Sequence, residues 1–267
     1  MKEPQVPLRI DLGPPLNAAF HRAYASLTEA TEFVVLGARF GRLSPDVVLP
    51  NAQVTVAIQA PNEEAVRAQF GSMAARYAVI AMVTACEIYI QDAYAILYVG
   101  QKLAASKDGS IPLTRYEHHV LKARGQARGH GILKALGWIK TQTGASDVDL
   151  PGVAWLSDVI RVRNCVVHRG GIVTEEDAPN GSIRVRWRHE YLTLNGERVG
   201  PGPWYYVGEN TQAEARLYHE DAEHEWCLGE AVTLTEQDAH DIAFSLLELV
   251  RQVAAIIRSK LSCLFAE

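Results

Sequence analysis

An arginine, an asparagine and a histidine lie close together in the segment Arg161-Val-Arg-Asn-Cys-Val-Val-His-Arg-Gly-Gly171. Asn164 directly follows Arg163, and His168 comes five positions after that arginine. An arginine fork suits phosphate oxygens, and histidine, whose unperturbed pKa is near neutrality, can accept or donate a proton. These residue types at this spacing are therefore suited to chemistry at a phosphodiester.

The segment falls late in a predicted helix that begins near Pro151 and ends at Gly170-Gly171. At about 100° per residue, Arg163 lies near the centre of an apolar stripe and His168 points roughly 140° away from it. The apolar residues on or near this stripe are Leu156, Val159, Ile160, Val166 and Val167. An arginine in such a stripe needs a carboxylate, a phosphate or a water-filled cleft. A buried ion pair between helices and a binding cleft both stay open.

The pattern Arg163-Asn164-x-x-x-His168 resembles the R-x4-6-H signature of the HEPN superfamily, and Arg161 with His168 satisfies the longer form of that spacing. The resemblance implies an RNA endonuclease that acts without a metal or cofactor. It also implies that two protomers face each other, so that two such segments form one composite cleft. Cleavage through the 2′-hydroxyl of RNA would leave a 2′,3′-cyclic phosphate and a 5′-hydroxyl.

The resemblance also implies roles and partners. His168 would act as general acid or base, Arg163 would bind the phosphoryl oxygens, and Asn164 would bind the phosphate or fix the imidazole tautomer. The implied partners are RNA, a second copy of the chain and an antitoxin or regulatory protein, in a toxin or antiviral effector. One alternative is a catalytically silent HEPN-like module for dimerisation or nucleotide binding. Another is a scaffold in which Arg163 only pairs with an acid.

Two carboxylates interrupt the most apolar run of the chain, residues 77–100. An ionised carboxylate in such surroundings needs a partner, so we predict that Glu87 orients Arg163, with Asp92 and Arg161 in support. The alternative is that both acids face solvent or a dimer rim. The run itself is interpreted as a core helix rather than a membrane span.

Three sets of basic residues are candidate RNA contacts. They are Lys122, Arg124 and Arg128 on a predicted helix, Arg169 beside the motif, and Arg184, Arg186 and Arg188 on a predicted strand. The alternatives are a solvated helix face for the first set and screening by the acids of residues 209–230 for the strand. Residues 219–225 contain two histidines among acids, but they lack metal-ligand spacing and are interpreted as a solvated acidic loop.

Composition narrows the class of protein. A net charge of −5 and a pI of about 6.0 exclude a global basic field, so RNA binding would depend on local patches. The four cysteines are far apart, which favours buried thiols over disulfides or zinc. The N-terminus lacks an apolar signal segment, and a cytoplasmic location without membrane contact is expected.

The chain is predicted to be mainly α: a HEPN-like helical bundle with a small antiparallel β insertion and a β-containing N-terminal extension. Residues 1–60 form that extension, of unknown role, and residues 61–267 form the HEPN-like domain, with the insertion at about 172–232. The predicted helices are 17–32, 62–105, one from 114 with a break near 125–131, 151–169 and 236–264. The predicted strands are 33–36, 47–49, 54–58, a hairpin of 182–194 with 197–207, 215–219 and 225–228. The last helix should pack against the long one.

Overall fold

The computed structural model describes residues 11–42, 63–106, 113–198 and 215–265. In these ranges the chain is mainly helical with a small antiparallel sheet, which confirms the coarse prediction of a mainly α fold with a small β insertion. The helices are α1 (Gly13–Arg42), α2 (Glu63–Ala104), α3 (Leu113–His130), α4 (Ile132–Thr143), α5 (Gly152–Arg169) and α6 (Glu236–Leu264). The strands are β1 (Ser182–Leu194), β2 (Glu197–Arg198) and β3 (Ala215–Cys227), in the order β2-β1-β3.

The chain divides into two compact units built from separated segments. Unit 1 comprises Met1–Leu27, Met82–Ser157 and Ser245–Glu267, and unit 2 comprises Thr28–Ala81 and Asp158–Phe244. The helices α1, α2, α5 and α6 each contribute residues to both units. The motif residues 163–168 belong to unit 2.

In unit 1, α2 and α6 approach closely at a glycine. A Cβ added to Gly100 of α2 would lie 2.5 Å from Leu261 Cδ2 of α6 and 3.2 Å from Leu12 Cδ1. Leu97 of α2 and Val253 of α6 are fully buried. The predicted packing of the last helix against the long one is thus confirmed for this unit, and it requires a residue without a side chain at position 100.

In unit 2, β1 and β3 pair over their full length, with Ser182 opposite Cys227 and Leu194 opposite Ala215. One face of this hairpin is buried, because Ile183, Val185 and Trp187 are fully inaccessible to solvent. Side chains point alternately to the two faces of a strand, so Arg184 and Arg186 point to the opposite, exposed face. A hydrogen bond from a main-chain N–H to a side chain joins this hairpin to α5: Arg186 N donates to Asp158 Oδ2 at 3.0 Å.

The predicted N-terminal strand at 33–36 is wrong, since these residues continue α1. The reason is that the buried residues of α1 recur every three or four positions and extend past residue 32: Leu16, Ala19, Ala23, Leu27, Ala30 and Val34. A helical apolar stripe outweighs the β propensity of a short Phe-Val-Val run. The predicted strands 47–49 and 54–58 lie outside the described residues.

The β insertion differs from its prediction in its strand partners. Asn195-Gly196 forms the predicted tight turn, with φ of 52° and 84°, but β2 extends only over Glu197–Arg198 and the main partner of β1 is β3. Residues 199–207 lie outside the described residues. The two predicted strands 215–219 and 225–228 are one continuous strand, so the segment interpreted as an acidic loop belongs to β3. The predicted helix break falls at Gly131, with φ of 71°.

Candidate functional site

The motif helix α5 ends as its sequence predicts. Gly170 and Gly171 have φ of 62° and 82°, a left-handed conformation that favours glycine. The N–H of Gly171 donates to the carbonyl of Cys165 at 3.1 Å, which satisfies a carbonyl of the last turn. His168 therefore lies in the final turn of α5, where the helix dipole favours a positive charge.

The apolar stripe of α5 overlaps the predicted one but is rotated around the helix. Leu156 and Val159 are buried as predicted, Val162 and Cys165 are fully buried as well, and Val167 is 42% exposed. The stripe is centred near Val162, roughly 100° from Arg163, so Arg163 is at its rim and not at its centre. The periodicity alone could not locate the centre of the stripe, because apolar residues cover a wide arc of this helix. Arg163, Asn164 and His168 consequently share the less buried face.

Asn164 links the arginine to the side of the helix that carries His168. Arg163 Nη1 donates a hydrogen bond of 3.0 Å to Asn164 Oδ1. On a helix Asn164 is one turn before His168 and therefore its neighbour. The directions of Arg163 and His168 differ by roughly 140° around the helix axis. The hydrogen bond to Asn164 directs the guanidinium towards the side of the helix that carries His168 and so reduces the effect of this difference.

Within unit 2, the two candidate catalytic side chains are not neutralised by acids of the described residues. Neither Arg163 nor His168 forms an ion pair there with a described carboxylate. Arg163 Nε is buried and has no hydrogen-bond partner there either. His168 is exposed. This arrangement leaves one guanidinium and one imidazole available to an anionic ligand.

Arg169, a candidate RNA contact, is bound to two acids that follow it in the chain. Two of its nitrogens donate to Asp177, and Nη1 donates to Glu176 at 3.0 Å. Burial acts to raise the pKa of the Asp177 carboxyl, but hydrogen bonds from Arg169 and Thr174 outweigh burial and the pKa is lowered. Arg169 thus connects residues 174–177 to the end of α5. The sequence did not predict this ion pair.

Arg161 is also held by an acid. Its Nη2 donates to Asp158 Oδ1 at 2.6 Å, one turn earlier on α5. Because the other oxygen of Asp158 accepts the N–H of Arg186, this carboxylate joins α5 to β1. Arg161 is therefore engaged in a structural contact. Of the two motif spacings, only the shorter one, from Arg163 to His168, contains an arginine that forms no ion pair with a described acid of unit 2.

Arg76 of α2 lies beside the end of the motif helix and was missed by the sequence analysis. A Cβ added to Gly171 would lie 3.0 Å from Arg76 Nη1. Arg76 Nε is buried without a hydrogen-bond partner within the described ranges. No spacing signal could find this residue, because it is far from the motif in sequence.

The acids Glu87 and Asp92 of the long helix have partners of their own within unit 1. Glu87 Oε1 accepts a bond from Gln91 Nε2 at 3.4 Å. Asp92 is bound by both Arg22 and Arg124, at 2.8 and 2.7 Å. Asp92 and Arg124 were assigned to separate roles from sequence, and the structure brings them together. Pairing of Glu87 with Arg163 stays a prediction.

The remaining basic candidates fall into two environments. On β1, Arg184 is paired with Glu223 and Glu225 across the hairpin, which is the screening that the sequence left open as an alternative. Arg186 is exposed and Arg188 is part-buried.

On α3, Lys122 and Arg128 are exposed. The pKa of the nearby His119 is lowered, first by burial and then by the charges of neighbouring groups that include Lys102, Lys122 and Arg115. Among the described residues neither Lys122 nor Arg128 forms an ion pair with an acid, whereas Arg184 forms two, so the α3 set is the more positive of the two surfaces.

The cysteines are free thiols of two kinds. Burial raises the pKa of Cys86 to about 12 and that of Cys165 to about 11. Cys227 and Cys263 are exposed, contrary to the expectation of buried thiols. In the described part of the chain, no group of three or more His, Cys, Asp or Glu side chains is placed to hold a metal ion.

Part of α2 has the length and composition of a membrane span. The stretch Phe70–Ala104 has a mean hydropathy of 1.4 in its most apolar window, and 56% of that window is buried within the chain. A core helix of a soluble protein meets the same criteria, so the stretch is weak support for a membrane location. The core-helix interpretation and the cytoplasmic location stay predictions.

The sequence matches no protein-family model, no curated protein and no solved structure. The HEPN resemblance therefore rests on the motif and its helical context.

Proposed function

We propose that the chain is a metal-independent endoribonuclease of HEPN type, cytoplasmic, with Arg163, Asn164 and His168 as its catalytic residues. The observation that carries the proposal is the hydrogen bond from Arg163 to Asn164 on the less buried face of α5, one turn before His168. It places a cationic fork and a proton-transfer group on one side of one helix. Stabilisation of phosphoryl charge and proton transfer are two contributions that such groups can make to phosphodiester cleavage.

The reaction is an internal transfer at phosphorus. The RNA 2′-oxygen loses its proton to a base and forms a bond to phosphorus, while the bond from phosphorus to the 5′-oxygen breaks and that oxygen takes a proton from an acid. His168 performs proton transfer, worth on the order of 10²–10⁴ in rate. Arg163 holds the phosphoryl oxygens as negative charge develops. The products are a 2′,3′-cyclic phosphate and a 5′-hydroxyl.

A second copy of the chain completes the site. Cleavage needs both an acid and a base, whereas each α5 offers one motif histidine. Two copies related by a two-fold axis would supply both from a shared cleft. Support comes from Val167, an apolar residue 42% exposed on the same face as Arg163 and Asn164. An antitoxin or regulatory partner, and a role in toxicity or antiviral defence, are further parts of the same proposal.

The deciding experiment is cleavage of a labelled RNA by purified protein in EDTA. His168→Ala should reduce the rate by at least about 100-fold. His21→Ala, an exposed histidine of α1, serves as the matched control and should keep the rate. Light scattering on the same samples should show a dimer. Loss of cleavage in EDTA that added metal restores, or full activity in a strict monomer, would contradict the proposal.

The alternative is a catalytically silent HEPN-like module, and the net charge of −5 favours it mildly. Such a module would dimerise and bind RNA or nucleotide, yet it would cleave nothing. Equal, background-level cleavage by wild type and His168→Ala, together with saturable RNA binding, would select it.

A further inference from the structure

A small cleft lies in unit 1 between α1, α2 and α3, and its volume is about 160 Å³. Its apolar lining is largely buried: Leu12, Ala19, Ala95 and Val99. Two arginines and one aspartate, Arg22, Arg124 and Asp92, supply its charge. The cleft therefore combines an apolar interior with a cationic wall.

The two arginines are only partly used by the protein. Arg22 Nη2 donates to one oxygen of Asp92 at 2.8 Å and Arg124 Nη2 to the other at 2.7 Å. Within the described ranges these are the hydrogen bonds that the two guanidinium groups form. Each guanidinium has five N–H donors, so most of the donors stay available. The side chains of Arg22 and Arg124 are 60% and 51% exposed, whereas that of Asp92 is 11% exposed.

The charges of this cluster do not cancel. Two guanidinium cations share one carboxylate, which leaves one net positive charge beside apolar walls. A purely structural ion pair would need one arginine, and exposed pairs of this kind contribute little to stability. An added anion would neutralise the excess charge and accept the unused donors in a bidentate geometry.

We propose that this cleft binds a small organic anion, a short-chain carboxylic acid, whose carboxylate lies on Arg22 and Arg124 and whose hydrocarbon part lies among the apolar walls. The size of the cleft supports a small ligand, because drug-sized ligands occupy pockets of roughly 300–1,000 Å³. The site involves none of the motif residues Arg163, Asn164 and His168, although its Arg124 also belongs to the α3 set of candidate RNA contacts. Inorganic phosphate would leave the apolar walls unused, and an alcohol would leave the charge uncompensated.

The test is titration calorimetry of the full chain with hexanoate, hexanol and inorganic phosphate at low salt. Hexanoate should bind saturably, with one site per chain and an affinity at least about tenfold above that of either other probe, which corresponds to about 1.4 kcal/mol. No saturable binding of hexanoate, or equal binding of phosphate, would overturn the proposal.

Variants separate this cleft from other surfaces. Arg124→Ala should weaken hexanoate binding at least about tenfold, while Arg115→Ala, an exposed arginine of the same helix outside the cleft, should leave it unchanged. Ala18 is an exposed lining residue of α1, so Ala18→Leu should obstruct the cleft without disturbing the core. Ala25→Leu, exposed on α1 and outside the lining, is its control. Unchanged hexanoate binding in either variant would refute the assignment, so the test still decides if the other variant fails to fold.

Discussion

Arg163 and Asn164 are joined by a hydrogen bond of 3.0 Å, from the guanidinium of one to the side-chain carbonyl of the next. Neighbouring residues on a helix point roughly 100° apart, so this bond bends the arginine side chain around α5. Asn164 is the helical neighbour of His168, and the bond therefore turns the cation towards the imidazole. This relationship is the basis of the proposal that the two groups of the short motif act together.

The geometry of the arginine fork should matter more than its charge. Arg163→Lys keeps the charge but cannot donate both to Asn164 and bidentately to a phosphoryl group. We expect kcat for RNA cleavage to fall about 100-fold or more, the usual loss of a preorganised donor. Arg161→Lys is the control, since Arg161 is held by Asp158, and it should lose less than about threefold. The reverse ranking would assign the longer motif spacing.

Removing the carboxylate of Asp177 should destabilise unit 2, because it would leave the largely buried guanidinium of Arg169 without this partner. Asp177 is 6% exposed, and Asp177→Ala removes the carboxylate that two nitrogens of Arg169 contact. Breaking a buried pair from one side costs roughly 3 kcal/mol, which urea unfolding can measure. Glu176→Ala is the control. The Glu176 side chain also contacts Arg169 but is 81% exposed, so its removal should lower the free energy of unfolding by less than about 1 kcal/mol. Equal losses would show that burial of Asp177 is unimportant.

Acid should destabilise the fold through depressed carboxyl pKa values. For Asp238, as for Asp177, burial acts to raise the pKa, but hydrogen bonds lower it overall; the donors to Asp238 are His224 and Thr235. A carboxyl with a lowered folded pKa contributes stability above its unfolded pKa, near 3.8, and loses it as pH falls through the folded pKa.

The urea midpoint should therefore decrease from about pH 5 to about pH 2.5. Asp238→Asn should flatten this dependence, whereas Asp147→Asn, at a carboxylate 90% exposed, should not. A midpoint that rises on acidification would reverse the assigned sign.

Thiol reactivity should separate two pairs of cysteines. Burial raises the pKa of Cys86 to about 12 and that of Cys165 to about 11, and the thiolate is the reactive form. Iodoacetamide at neutral pH should therefore label Cys227 and Cys263 in the native protein, and the other two only in urea. Mass spectrometry of peptides gives the extent at each site. Fast native labelling of Cys165 would mean that the motif helix is not packed as described.

RNA affinity should depend on α3 more than on β1. Lys122→Ala and Arg128→Ala remove exposed cations from the more positive surface, and each should weaken binding and lower the salt slope by about one. Arg184→Ala should change little, because Arg184 already pairs with Glu223 and Glu225. Filter binding at several salt concentrations measures both quantities. A larger loss in Arg184→Ala would place the RNA on the hairpin.

Local signals in the sequence predicted local structure well. The glycine pair that ends α5 and the Asn195-Gly196 turn are found where they were predicted. The Thr235–Asp238 capping box is formed, since Thr235 N donates to Asp238 and Asp238 N donates back to Thr235. Each of these features depends on residues within a few positions of one another, so the local sequence is sufficient to predict it.

Strand partners and helix contacts between residues distant in sequence could not be predicted from such local signals. β1 pairs along its full length with β3, which follows β2 in the sequence, and strand propensity does not identify which strands will pair. The centre of the apolar stripe on α5 was misplaced for the same reason, because apolar residues cover a wide arc of that helix and only packing selects the ones that are buried.

By itself the sequence determined that Arg163, Asn164 and His168 share the end of one helix, because helical periodicity and a glycine stop decide this within a dozen residues. Only the tertiary structure decided which cations stay available. Arg169 is bound to Asp177, while Arg22 and Arg124 meet at Asp92 across 102 positions of chain. An ion pair forms where packing brings charges within a few ångströms, and a distance in sequence does not determine that separation.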